Sequence, residues 1–305
     1  MTLLKPRDAP TRRTRGTAAR PRRRPARAAG RRGGMSSGYA VLAALVVLAV
    51  VMLVPFVIVA FNALKTPTEY STHGPLSVPH GLYLQGVKDF WNRVDYGQKL
   101  VNSVIISGTV AVAGTTLSVL NAYALGIGRV RGRLWILVLL LMANLLPQES
   151  LIYPLYFMFK KAGLYDTRLS VIIVFTVIQS AFGTYLLSSV LSSFPRPLLE
   201  AARIDGANRW QVLWRIVVPI SRPTIVVLLV FFFIWTWNEF LIPLVMLISN
   251  DNQTVSVALG VLHGQRLMDA TMSSAAALLG IIPTLVFFLI FQRTLSRGIT
   301  VGAIK

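Results

Sequence analysis

Long apolar runs alternate with shorter polar segments along most of the 305-residue chain. A transmembrane helix needs about twenty mainly apolar residues. Six runs approach or exceed this length, at residues 39–61, 103–125, 134–159, 169–191, 224–248 and 273–291. The runs are too long, and too evenly apolar, for the alternating strands of a barrel. The pattern therefore predicts an all-α membrane protein with six transmembrane helices.

The third run is interrupted in its middle by Pro147, Gln148 and Glu149, so we expect a broken helix there. Polar residues within apolar runs are costly in a bilayer and usually face a pathway or a partner. Such residues also occur in the fourth and fifth runs. The candidates for a substrate pathway are Gln148, Glu149, Gln179, Trp235, Asn238 and Glu239, with Trp237 and Phe182 as further aromatic surfaces. The alternative is that they hydrogen-bond between helices or face water at the outer interface.

The first 38 residues have a different composition from the remainder. They contain twelve Lys or Arg, one acidic residue and almost no apolar side chains. Such a segment buries too little surface to offset its ordering entropy, which predicts a disordered basic tail at 1–38 and a transmembrane domain at 39–305. The positive charge of the tail could bind anionic lipid headgroups, or it could be solvated and only enforce the orientation of the chain. It could also bind nucleic acid, but no other feature of the sequence supports that alternative. Met35 is an alternative start of translation.

The placement of the remaining charges predicts the orientation, because cytoplasmic loops carry an excess of Lys and Arg. With the N-terminus inside, 23 of the 31 basic residues lie on the inner side. If the tail is left out, the inner side still has more Lys and Arg than the outer side. The inner residues include Arg129, Arg131, Arg133 and those between Arg196 and Arg222. Both termini are therefore expected in the cytoplasm.

The composition argues against an enzyme. Hydrophobic residues make up 54% of the chain and charged residues 14%, whereas a soluble domain carries about a quarter charged residues. Cysteine is absent, the three histidines lack metal-ligand spacing, and no nucleophile motif or phosphate-binding P-loop occurs. We expect no catalytic residue, metal or cofactor in this chain.

The inner loop at 192–223 carries the most informative pattern. Good helix formers at 198–202 precede Gly206, which fits a turn, and a second helix is expected from about Arg209. The apolar stripe of this second helix comprises Trp210, Leu213, Trp214 and Val217. Pro219 and Pro223 are expected to end the helix. This helix–turn–helix could rest on lipid headgroups. It could instead dock a soluble partner, since small residues permit close approach.

The run Glu200-Ala201-Ala202, then Asp205-Gly206-Ala207, with Pro219 and Pro223 downstream, resembles the EAA loop of importer permeases of the ATP-binding cassette class. Further likeness lies in Lys65–Glu69, Asn102-Ser103, Trp237–Phe240 and the run from Gln292 to Lys305. These segments are similar to the second permease of maltose-type sugar importers. A Trp at 214 replaces the Phe frequent in that family.

The resemblance implies a type I importer permease fold, with residues 200–207 forming a coupling helix that docks onto an ATPase. It also implies a second permease subunit, two ATPase copies that bind ATP and Mg, and an extracellular sugar-binding protein, in a bacterial cell membrane. In this picture Ala201, Ala202 and Gly206 allow close docking. Glu200 and Asp205 orient the loop or pair with basic groups on the ATPase.

Three rival functions stay open. An ion-coupled secondary transporter would need internal repeats or a buried ion site, for which only Glu149 and Glu239 are candidates. A membrane-embedded enzyme lacks a motif. An importer of the same class for a non-sugar solute is disfavoured by the likeness of the C-terminal run.

Overall fold

The computed structural model describes residues 35–128, 130–264 and 269–303, and regular secondary structure within these ranges is helical. The predicted disordered tail up to residue 34, Arg129, residues 265–268 and the last two residues lie outside the described residues. The chain divides into two compact units, residues 1–52 and 53–305, and the second contains all the sites discussed below.

The first predicted span lies within helix α1, Met35–Ala63, whose described residues from Gly38 form an apolar stretch with a mean hydropathy of 3.2. The polar segment that follows contains two short helices, α2 (Pro67–His73) and α3 (Gln85–Arg93). Helix α2 begins where the Thr66 hydroxyl accepts a hydrogen bond from the Glu69 amide at 3.1 Å, which satisfies one free donor of the first turn.

The second and fourth predicted spans are the long helices α4 (Tyr96–Ala122), continued by a π turn at Tyr123–Ile127, and α7 (Arg168–Ser192). They approach closely because small residues face each other. A Cβ atom at Gly183 would lie 2.2 Å from the Ser118 hydroxyl oxygen, so only glycine fits there.

The third predicted span is two helices, α5 (Arg133–Asn144) and α6 (Gln148–Lys161), whose axes differ by 93°. The predicted break at Pro147 is confirmed. Pro147 has non-helical backbone angles and directly precedes the first residue of α6. A proline disfavours helical geometry in the residue before it, so the preceding helix ends before Pro147.

The prediction that Pro219 and Pro223 end the loop helix is wrong. Helix α8 covers Arg196–Ile204, and α9 (Arg209–Val212) passes through a π turn at Leu213–Val217 directly into α10 (Val218–Asn238). A proline lacks its N–H and crowds the carbonyl four residues before it. The π turn covers Arg215, four residues before Pro219, and changes the hydrogen-bond register there, so the helix continues past Pro219.

The fifth predicted span, 224–248, is also wrong at both of its ends. The continuous helix covers Arg209–Asn238, and a separate short helix, α11 (Leu241–Met246), follows an extended residue at Glu239. The position of Pro243 explains the break. Its ring would crowd the carbonyl of Glu239 in an uninterrupted helix.

The chain continues through a 3₁₀ turn at Asn250–Asn252 and helix α12 (Val255–Gly264) to α13 (Ala270–Ala303), which contains the sixth predicted span. Among the described residues, five helices are long and apolar enough to cross a membrane, and the bent α5–α6 pair would make a sixth.

The buried side chains of the second unit form clusters at two ends. One cluster joins the C-terminal halves of α4 and α7 to α8, α9 and the first half of α10. Two others lie around the N-terminal ends of α4 and α7, together with α3, α11, α12 and the start of α13. We call these the α8 end and the α3 end.

Candidate functional site

The turn after α8 is closed by backbone hydrogen bonds of the Schellman type. The Ala207 amide donates to the Ala202 carbonyl at 2.9 Å, and the Gly206 amide donates to the Arg203 carbonyl at 3.1 Å. Gly206 has a φ of +77°, a conformation that costs any other residue about 1–2 kcal/mol. The predicted glycine turn is therefore confirmed, and its backbone geometry is fixed.

A capping box, not anticipated from the sequence, starts α9 on the other side of this turn. The Gln211 amide donates to the Asn208 side chain at 2.9 Å, and the Asn208 amide donates to the Gln211 side chain at 2.8 Å. The spacing of Asn208 and Gln211 before an apolar run is the signal that would have predicted it. The two helices thus meet at a turn with little freedom to move.

One face of this helix pair is anchored in the α8-end core. Ala202, Val212, Leu213 and Val217 are buried there, and the Tyr123 hydroxyl donates to the Arg209 carbonyl at 3.2 Å. The predicted apolar stripe is therefore half wrong. Leu213 and Val217 point into the core, whereas Trp210 and Trp214 are exposed, because the π turn shifts the phase of the helix within this stretch.

The opposite face of the turn is free of the chain. Glu200, Ala201, Asp205 and Gly206 are exposed, Ala207 is half-buried, and Ile204 is 86% exposed. Ile204 was not singled out from the sequence, because a single Ile between Arg203 and Asp205 carries no periodic signal.

The structure brings together three of the predicted pathway residues at the break between α10 and α11. The Glu239 carboxylate lies beside the Gln148 amide and within electrostatic reach of Glu149, both in the first turn of α6. Gln148 and Glu149 directly follow the break at Pro147, and Glu239 lies at the break that Pro243 explains. The bends therefore place two carboxylates and an amide next to one another.

The remaining pathway candidates lie apart from this group. Trp235 is partly exposed on α10 and packs edge-on against Phe182 of α7, with ring centroids 6.0 Å apart. Asn238 is exposed and donates to the Ile234 carbonyl at 2.7 Å within its own helix. Gln179 is buried between α7 and α10, where its amide donates to the Thr236 hydroxyl at 2.8 Å.

Three further motif residues, Lys65, Asn102 and Ser103, are fully buried and hold the α3 end together. Lys65 donates to the Asn62 side chain at 2.9 Å and to the Gly74 carbonyl at 3.0 Å. Asn102 donates to the carbonyls of Asp251 and Gln253, and the Ser103 hydroxyl accepts from the Val255 amide at 2.9 Å. These polar side chains satisfy loop backbone that would otherwise be buried without partners.

The loop before α7 is tied to the same region through Asp166. Its carboxylate accepts hydrogen bonds from the amide and hydroxyl of Ser249, and its carbonyl accepts from the Asn252 side chain at 2.6 Å. Burial acts to raise the pKa of Asp166, but the hydrogen bonds from Ser249 outweigh it and hold the pKa below its ordinary value. This carboxylate is therefore a structural acceptor at neutral pH.

Residues 101–301 match the family described as the binding-protein-dependent transport system inner membrane component. The chain belongs to this family. The match covers all the helices from α4 onwards, including the α8 turn and the α5–α6 break. As a member of this family of inner membrane transport components, the chain is a multi-pass permease subunit of an ATP-binding cassette transporter.

The permease is similar to curated transport proteins over most of its length. It is 28% identical over 260 residues to a probable starch degradation products transport system permease of Thermoanaerobacterium thermosulfurigenes, covering 85% of this chain and 94% of the relative. It is 26% identical to a diacetylchitobiose uptake system permease of Streptomyces coelicolor, covering 86% and 87%. It is 28% identical to a melibiose, raffinose and stachyose import permease of Bacillus subtilis, covering 83% and 91%.

The permease also has the fold of a solved transporter. A chain in the crystal structure of a bacterial ABC transporter for the import of the acidic polysaccharide alginate aligns with a TM-score of 0.72 at 20% identity. The alignment covers 85% of this chain and 96% of that chain.

Proposed function

We propose that this permease is one half of the translocation pathway of an ATP-driven, binding-protein-dependent carbohydrate importer. The observation that carries the proposal is the rigid, exposed α8 turn in a chain of this transport family. The named uptake systems of the relatives above, for starch products, diacetylchitobiose and raffinose-type sugars, support the substrate class.

The α8 turn is suited to receive force from a soluble subunit. Its exposed face comprises Glu200, Ala201, Ile204, Asp205 and Gly206, and its buried face is fixed in the core through Ala202. Ile204 enters an apolar pocket of the partner, while Glu200 and Asp205 pair with basic groups around it. The Schellman turn and the capping box keep this surface rigid. A movement of the bound ATPase therefore shifts the whole turn and does not merely deform it.

The path from the turn to the membrane domain is a single helix. The helix of 30 residues from Arg209 to Asn238 spans about 45 Å. It starts at the α8 turn and ends at Trp235, Asn238 and Glu239. Movement of the turn therefore reaches the proposed pathway without passing through a flexible connection.

The exposed face at the far end of α10 has the chemistry of a carbohydrate pathway. Trp235 offers an aromatic face, and Asn238 and Glu239 offer an amide and a carboxylate for sugar hydroxyl groups, with Gln148 and Glu149 beside Glu239. Polar side chains facing hydrocarbon would be costly, so this face requires water, substrate or a second permease subunit. Gln179 contributes indirectly, by holding α7 to α10.

The proposed importer requires further subunits and cofactors. A second permease completes the pathway, two ATPase copies bind ATP and Mg and dock at the α8 ends, and a sugar-binding protein delivers substrate at the α3 end. The excess of Lys and Arg near the α8 turn supports a cytoplasmic α8 end and cytoplasmic termini in a bacterial cell membrane. This chain itself binds no nucleotide.

A pull-down in mild detergent tests the coupling surface. Gly206→Asp places a side chain on the docking face, and we expect the ATPase to be lost while a second permease is retained. Gly163→Asp is the matched control, because Gly163 also has a positive φ of +69° and open space around its Cβ position but lies after α6. Equal recovery of the ATPase with both variants would overturn the assignment of the α8 turn.

A further inference from the structure

A cavity of about 970 Å³ lies at the α8 end, beside the proposed coupling surface. The π turn that ends α4, the first residue of α5, the end of α7 and one face of α8 form its walls. Among the described residues, five arginines line it, namely Arg131, Arg133, Arg196, Arg203 and Arg209, together with one carboxylate, that of Glu200.

The arginines of this cavity are exposed, and the described part of the chain does not pair them. None of the five guanidinium groups forms an ion pair within 4.0 Å there, and the Glu200 carboxylate does not pair with them either. Like charges that converge on one cavity repel each other unless an anion lies between them. Guanidinium groups match the geometry of phosphate oxygens in particular, because they donate in pairs.

The other walls of the cavity are apolar. They are formed by Ile127, Val130, Leu191, Phe194 and Leu199. The helices α4 and α7 end here and α5 begins here, so the cavity lies where apolar spans meet the aqueous phase. Arginines on one side and aliphatic side chains on the other fit a molecule that has a phosphate joined to hydrocarbon.

We propose that this cavity binds the phosphate of an anionic phospholipid headgroup, with the first part of the lipid's acyl region against the apolar wall. The headgroup joins the turn between α4 and α5, through Arg131 and Arg133, to α8, through Arg196 and Arg203. It thereby supports the α8 turn from the face that carries Arg196, Leu199 and Arg203. The proposal rests on the membrane location of the chain and not on its carbohydrate function.

Native mass spectrometry of the full-length chain, purified with its co-purifying subunits, tests this proposal. The protein is exposed to equal amounts of phosphatidylglycerol and phosphatidylcholine, and the lipids that stay bound are counted. The variant is Arg131→Gln with Arg133→Gln. The matched control is Arg215→Gln with Arg222→Gln, which removes the same charge from exposed positions near the same end but outside the cavity.

We expect the wild type to retain phosphatidylglycerol in preference to phosphatidylcholine. Retention should fall about fivefold for each cavity arginine removed, and the control should be unchanged. An excess of inorganic phosphate should not displace the lipid, because it lacks the apolar part. Displacement by phosphate would instead identify a soluble anion as the ligand.

Two further results would overturn the proposal. Equal loss of lipid from both double variants would mean a diffuse basic surface without a site. Loss of a protein subunit from the Arg131→Gln, Arg133→Gln variant, with lipid retained, would mean that the arginines receive an acidic protein partner.

Discussion

Adjacent residues of the same type have opposite roles in the α8 turn. Ala201 is exposed, whereas Ala202 is 6% exposed and packs in the α8-end core. The sequence indicates that both are small, but a helix of nine residues is too short for its pattern to fix which face is buried. That phase is set by the Schellman turn and the core beneath it.

The two alanines therefore predict different outcomes for the same substitution. Ala202→Phe overpacks the core and should lower the free energy of unfolding by about 1–3 kcal/mol. Ala201→Phe should leave thermal stability unchanged and reduce recovery of the ATPase in a pull-down. Thermal melting in detergent measures the first effect, and the prediction fails if Ala201→Phe is the less stable of the two.

Glu239 is the proposed pathway residue with the most specific surroundings, since Gln148 and Glu149 lie next to it. Glu239→Ala should lower carbohydrate uptake about fivefold, the effect of losing one hydrogen-bonding group to a substrate. Glu239→Gln keeps a hydrogen-bonding side chain and should lose less. Uptake is measured in cells, with subunit recovery as the control for assembly. Unchanged uptake in Glu239→Ala would remove this residue from the pathway.

At the scale of elements, the positions of the apolar runs predicted where helices occur but not where two of them end. Pro219 lies inside a continuous helix, whereas Pro243 marks a break. A π turn precedes Pro219, and no residue pattern announces it. The polar motif residues show a similar limit. Asn102 and Ser103 are recognisable in the sequence, but their loop partners lie 149 and 152 residues away along the chain.

The continuity of α9 and α10 has a consequence for coupling. Val226→Gly with Val227→Gly should weaken the helix by about 0.5 kcal/mol for each glycine, and transport should fall while the ATPase still co-purifies. The same pair of changes at Val46 and Val47 in α1 is the control and should have a smaller effect on transport. Normal transport in the α10 variant would show that the helix does not transmit the movement.

For the whole molecule, composition and hydropathy were sufficient to predict an all-helical membrane protein, because apolar surface of this extent must contact lipid and not water. The number of spans is five, or six with the bent pair, among the described residues. Orientation and assembly depend on partners and on the membrane, so they stay predictions. In the proposed function, the rigid turn, the continuous helix and the polar group at its far end together transmit movement through the chain.

The most direct test of the account is the energy source of uptake. Cells that produce this permease with its partner subunits are given a panel of labelled oligosaccharides, and initial uptake rates are compared after ATP depletion and after addition of a protonophore. The account predicts that uptake stops when ATP is depleted and persists when the proton gradient alone is collapsed. Uptake that survives ATP depletion and stops with the protonophore would contradict it and indicate an ion-coupled transporter.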